Sequence, residues 1–363
     1  MSRDKVQSEA IVEANKHFRC GLGISMGVGK TLIGLTHMAS HYNKNSKFLV
    51  VAPKISIFQS WKDDAVKFKM QYLLDKIEFS TYLSLRKKDP NKYSVVYLDE
   101  CHSLLYTHKK FLDVYKHKIL GLTGTPPVRD FTEKAQMVKQ YCPIVYKYKI
   151  DEAVNAHILN DYKIYVHLLS LSSNKNHRIS LKNGKSFMTS EVDRYTYTNT
   201  VISNALQGSQ QYQFAIISRM TALKQFRTKE IYAKNLLSKL KSKTIIFCNT
   251  QIQANNMCEH SYHSKNNKSE ENLELFKNGE ILNLSCVDQL NEGVTIPNLD
   301  TGIIMHAYGN ERKTSQRIGR LLRLNPEMTS NIHILCYRDT IDLKWVNEAL
   351  KSIDINKVIY LKR

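Results

Sequence analysis

"GISMGVGKT" (residues 23–31) lies between a short apolar run and the helix-like "LIGLTHMA" (32–39), and its reading decides the fold. Gly27 and Gly29, flanking Val28, let a backbone approach phosphate oxygens closely. Lys30 can reach β- and γ-phosphates, and the Thr31 hydroxyl can ligate Mg2+. The apolar segment that follows supplies a helix whose amino end faces the anion. A strict phosphate-loop pattern has glycine where Ile24 stands. A glycine-rich turn with an incidental lysine is therefore the competing reading of this stretch taken alone.

"VVYLDECH" (95–102) decides between the two. A buried strand ending in Asp99-Glu100 delivers two carboxylates to the carboxyl edge of a sheet, where open α/β sheets bind ligands. Asp99 would hold Mg2+ through water, and Glu100 would orient and deprotonate an attacking water. His102 could couple this pair to neighbouring groups. Around these motifs, apolar runs such as "FLVVAP" (48–53), "KTIIFCNT" (243–250), "TGIIMH" (301–306) and "IHILCY" (332–337) alternate with helix-like segments. Continuous rather than alternating apolarity implies strands covered on both faces, as in a parallel sheet. Two such sets predict an α/β chain with a first domain over 1–160 and a second over 161–363. The polar stretch 172–213 between them contains "KNGK" (182–185), an Asn-Gly turn signal, and predicts an inserted hairpin or loop.

Near the carboxyl end, "QRIGRLLR" (316–323) spaces Gln316, Arg317, Arg320 and Arg323 near one helix face, interleaved with Ile318, Leu321 and Leu322. Arginines of this kind stabilise charge on a γ-phosphate in the transition state. A solvated basic helix is the plainer reading of the charges, but the apolar interleaving makes the helix half-buried.

Fifty-three Lys and Arg against 33 Asp and Glu give a net charge of +20, a surplus that attracts polyanions, nucleic-acid backbones above all. The seven cysteines include no Cys-x-x-Cys pair and several sit in strand-like runs, which favours buried reduced thiols over a disulfide framework or a zinc site. No signal-peptide core or membrane-length apolar run is present, so a reducing, cytosol-like interior is expected, without membrane attachment or secretion.

Taken in order, these segments resemble the superfamily 2 helicases and translocases, from Gln7 to Arg323. "SMGVGKT" is similar to the form of the loop found in Swi/Snf-type translocases, and "LDECH" to the Asp-Glu-x-His box. The resemblance implies two doubly wound, RecA-like lobes with an ATP cleft between them, and ATP with Mg2+ as cofactors. It implies that Gln7 in "KVQSEAIVEA" reads adenine, and that Thr123 and Thr125 in "LTGTPP" couple the ATP site to the track. Lys54 and Thr81 in the first lobe, with Thr250 and Gly293 in the second, would grip the nucleic-acid backbone. Gln316 would meet the γ-phosphate, with Arg320 and Arg323 as fingers. Val287 and Thr295 depart from the family pattern. The expected activity is an ATP-dependent helicase or translocase, with DNA preferred over RNA as the track and a protein partner as one source of specificity. Open alternatives are a duplex translocase that does not separate strands, an RNA helicase, and a basic nucleic-acid-binding subunit that does not hydrolyse ATP. A small-molecule phosphate-loop kinase would explain the first lobe but neither the arginine helix nor the charge.

Overall fold

The computed structural model describes all residues except 128–129, 181–183, 288–295, 308–310, 323–326, 352 and 363, and only the backbone of 311–313, 315 and 320. The chain divides into two compact units. One is built mainly from Met1–Asp161 and the other mainly from Tyr162–Asn291, Ile296–Leu321 and Thr329–Arg363.

In the first unit, strands β1 (Arg19–Ile24), β2 (Phe48–Ala52), β3 (Ile77–Thr81), β4 (Val95–Asp99), β5 (Lys118–Thr123) and β6 (Ile144–Tyr148) form one parallel sheet in the order β3-β2-β4-β5-β1-β6. Helices α1 (Arg3–Asn15), α2 (Lys30–Ser40), α3 (Ser56–Lys67), α4 (Lys109–Leu112), α5 (Glu133–Tyr141) and α6 (Ile150–Asn155) accompany it. Every residue of β2 and β4 is buried, as continuous apolar runs require when both faces of a sheet are covered.

The second unit carries β7 (Asp161–Leu169), a separate antiparallel hairpin of β8 (His177–Ser180) and β9 (Ser186–Thr189), and then β10 (Thr244–Cys248), β11 (Ser261–Tyr262), β12 (Asn283–Val287), β13 (Thr301–Ile304), β14 (Thr329–Tyr337) and β15 (Val358–Lys362). Its main sheet has the order β11-β12-β10-β13-β14-β7-β15. The helices are α7 (Glu191–Asn204), α8 (Gln210–Gln225), α9 (Arg227–Leu237), α10 (Gln251–Met257), α11 (Ser269–Asn278), α12 (Glu311–Leu321) and α13 (Ile341–Ala349).

The polar stretch 172–213 is a hairpin only in its first part. The β8–β9 pairing runs from His177–Thr189 to Ser180–Ser186, and Lys182 and Asn183 of the turn signal lie outside the described residues. Beyond it the chain turns helical, because Ser190 and Ser209 each accept a backbone N–H three residues on and so cap α7 and α8. All seven cysteines are free thiols, and six are buried.

One ionic cluster ties the second unit together. Lys229 on α9 and Asp342 on α13 are fully buried and hydrogen-bonded to each other. The ammonium also donates to the Met305 carbonyl and His306 Nδ1, each at 3.1 Å, and the Tyr337 amide donates to the carboxylate at 2.9 Å. Burial and the adjacent ammonium hold His306 neutral, far below the usual histidine range, so its ring nitrogen can accept. Removing one partner strands the other charge in a dry interior. Lys229→Ala should therefore lower stability by about 3–5 kcal/mol in chemical denaturation, and the double variant Lys229→Met with Asp342→Leu should avoid much of that loss.

Candidate active site

The sheet order places β4, β5 and β1 side by side, so the segments leaving their carboxyl ends are neighbours. Register is matched as well: Gly23 of β1 pairs with Thr123 of β5, and Leu122 of β5 with Asp99 of β4. The phosphate loop, the acidic pair and the threonine segment thereby meet at one edge, where doubly wound sheets bind ligands.

Ile24, the departure from the loop pattern, is the fully buried last residue of β1. Its side chain fills the core, so the missing glycine does not obstruct the loop that starts after it. Gly27 and Gly29 adopt φ of +86° and +101°, the left-handed region where a side chain is strained. A Cβ on Gly29 would also lie 2.6 Å from Gln7 Nε2. Gln7 Nε2 donates to the Val28 carbonyl at 2.7 Å and Arg3 Nε donates to it at 3.1 Å, so α1 clamps the loop from behind. Ser25 Oγ is buried without a hydrogen-bond partner in the protein. A left-handed glycine pair, an orphaned hydroxyl and Lys30 at the start of α2 fit a bound triphosphate.

Lys30 Nζ lies 3.8 Å from Glu100 Oε1. Glu100 has φ of +50°, unusual for a non-glycine residue, and such backbone outliers cluster where function fixes a side chain. Its Oε2 accepts from Thr123 Oγ1 at 3.4 Å. Thr123 Oγ1 also accepts the Thr125 amide at 3.1 Å and meets His102 Nδ1 at 2.7 Å. With its own proton on Glu100, the threonine can serve His102 only as acceptor, which assigns the Nδ1 proton to His102. The Thr125 hydroxyl is buried without a partner in the protein.

Asp99 is buried, and both its oxygens are engaged: Oδ1 by the Glu100 amide at 2.9 Å and Oδ2 by Trp61 Nε1 at 2.8 Å. Burial, reinforced by the Glu100 carboxylate, pushes its pKa up to about 6. Tyr82 donates its hydroxyl to the Asp99 carbonyl at 3.0 Å. Lys54 is exposed just past β2, and Thr81, which donates to Ser84 Oγ, ends the adjacent β3. Both therefore lie on the same sheet edge as the acidic pair.

The second-unit residues stand apart in kind. Thr250 Oγ1 accepts the Gln253 amide and caps α10, a structural task. Gln316 is buried on α12. Arg317, which spacing groups with Gln316, is likewise buried: it lies 5.3 Å over the Phe247 ring and donates to the His306 carbonyl at 3.1 Å. A guanidinium lying over an aromatic face gains a cation–π contact in the core, which periodicity alone does not reveal. The Arg320 side chain, Arg323, Gly293 and Thr295 lie outside the described residues.

Comparison with known proteins follows the same division. The family described as "Type III restriction enzyme, res subunit" matches residues 2–128, and "Helicase conserved C-terminal domain" matches 222–325. A DNA 3'-5' translocase, XPB2 of Sulfurisphaera tokodaii, is 24% identical over 349 residues, covering 87% of this chain and 77% of the relative. Among solved structures, a fragment of a putative HsdR subunit of a type I restriction enzyme from Vibrio vulnificus YJ016 is similar with a TM-score of 0.63 at 17% identity, covering 99% of this chain and 68% of that one. The Hef helicase domain of Pyrococcus furiosus gives 0.52 at 13%, covering 95% and 98%. At these identities the structural likeness is one of fold.

The raised carboxyl of Asp99 has a definite sign in stability. Because the folded protein holds this proton more tightly than the unfolded chain, stability falls as pH rises between the ordinary aspartate value of 3.8 and about 6. Asp99→Asn lacks that slope. Between pH 4 and pH 7, the stability difference between the variant and wild type should move in the variant's favour by on the order of 2 kcal/mol, measured by denaturant unfolding without nucleotide.

Proposed function

We propose that this chain, a member of the superfamily 2 helicases and translocases, is an ATP-driven motor acting on DNA. The observation that carries this reading is the convergence of Lys30, Asp99 and Thr123 around Glu100 on one sheet edge. In the reading, Gly27, Val28, Gly29, Lys30 and Thr31 hold the phosphates of ATP, and Thr31 and Asp99 hold Mg2+. The metal supplies charge neutralisation of the triphosphate when bound. Glu100 removes the proton of the attacking water, and Gln7 steadies the loop as well as facing the base. Thr123, bonded to Glu100, and His102, bonded to Thr123, pass the state of the nucleotide on toward Lys54 and Thr81. Gln316, Arg320 and Arg323 belong to the second half of the chain, so turnover requires both halves.

DNA is favoured over RNA because the curated relative is named as a DNA translocase, and its stated polarity, 3' to 5', is the one to test first. The charge of +20 fits a grip made mainly on phosphates. No helix among the described residues is long and apolar enough to cross a membrane. Substrate choice would reside in 172–213 or in a partner protein.

The test is ATP turnover with single-stranded, duplex and forked DNA and with RNA, paired with strand displacement. Lys30→Ala and Glu100→Gln should each lower stimulated turnover at least about 100-fold while DNA binding persists. Wild-type-like turnover in Glu100→Gln would remove Glu100 as the base.

A further inference from the structure

Trp61 is a fully buried tryptophan with a polar task. It sits on α3, and its indole N–H donates to Asp99 Oδ2 at 2.8 Å across 38 residues of sequence. Its six-membered ring lies over Gly34 of α2, the helix that begins with Lys30 and Thr31. A Cβ on Gly34 would come within 2.5 Å of that ring. The indole also stands edge-on to Tyr97 of β4, with ring centroids 6.1 Å apart. One side chain thus spans the helix behind the phosphate loop and the strand that ends in the acidic pair. One turn further along α3, the Thr31 hydroxyl lies close enough to the Asp64 carboxylate to favour its ionised form. Helix α3 therefore reaches both residues read above as the Mg2+ side of the site.

We propose that Trp61 is a positioning residue for the Mg2+-side carboxylate: its N–H fixes the rotation of Asp99, and its ring, admitted by Gly34, sets the spacing between that carboxylate and Thr31. The inference rests on the reading of Asp99 and Thr31 as the Mg2+-side pair. A carboxylate with one oxygen held by a backbone amide and the other by an indole has a single orientation. The remaining lone pairs then point in a fixed direction. Partners that orient metal-binding groups typically change metal affinity about 10–100-fold when removed.

The full chain is tested as wild type, Trp61→Phe, Asp99→Asn and the double variant, following Mg2+-dependent binding of a fluorescent, non-hydrolysable ATP analogue. Trp61→Phe keeps an aromatic ring and deletes the donor. It should raise the Mg2+ concentration for half-saturation about 10–100-fold while leaving Mg2+-free binding of the analogue unchanged, and should add nothing on top of Asp99→Asn. A second readout avoids altering Trp61. The chain has two tryptophans, so in a Trp345→Phe background the emission of Trp61 should shift when Mg2+ and the analogue are added together, and not in Asp99→Asn. An unchanged Mg2+ requirement in Trp61→Phe, additive losses in the double variant, or a silent Trp61 would overturn the inference alone. Failure of the wild type to bind the analogue would instead overturn the reading of the site on which it rests.

Discussion

Parallel pairing of β4, β5 and β1 is the constraint on which the first unit's chemistry depends. A parallel sheet points all its carboxyl ends one way, and three adjacent strands deliver a phosphate loop, two carboxylates and a threonine hydroxyl to one place. None of these groups lies close to another in sequence except the acidic pair itself. Their meeting follows from register, which the buried strands hold because a one-residue slip would turn every side chain to the opposite face. The Thr123 hydroxyl shows how tight the result is. It touches Glu100, His102 and the Thr125 amide at once, using its single proton and both acceptor positions.

Much of this is legible in the sequence because its signals are local. Continuous apolar runs mark strands buried on both faces, and β2, β4, β10 and β13 are buried throughout. Lys30 and Asp99 can be named from short motifs because a phosphate loop and a strand-end acid are each set by a few consecutive residues. What stays hidden is what depends on distant packing. The N–H of Trp61 reaches Asp99, and Arg3 reaches Val28, through contacts no window of sequence contains. Arg3 has one weak signal, its position one helical turn before Gln7 on the same face. The contact of Arg317 with the Phe247 ring is hidden in the same way, since helix spacing groups it with Gln316 but does not show what it packs against. The helix after the hairpin escapes an apolar-periodicity reading because its face is polar, and Ser190, its cap, is the signal that marks it.

The two units solve the problem of buried charge differently. In the second, Lys229 and Asp342 answer each other, a structural bond in the interior. In the first, Asp99 is buried beside a second carboxylate, and its pKa moves instead. Charges of one sign crowded together at a sheet edge are unfavourable for folding, and they persist where a cation or phosphate chemistry gives them a use.

The connectivity of the second sheet bears on how the chain acquires its shape. All six strands of the first unit's sheet lie within residues 19–148, so that unit has every strand it needs while the ribosome is still at work on the remainder. In the second unit β15, residues 358–362, pairs with β7, residues 161–169, which emerged nearly two hundred positions earlier. Until that late strand arrives, one flank of β7 offers unpaired amides and carbonyls. Contacts of such long sequence separation also close slowly. Synthesis from the amino end thus completes the first sheet well before the second, and the exposed flank of β7 is where a nascent-chain chaperone would have most to protect.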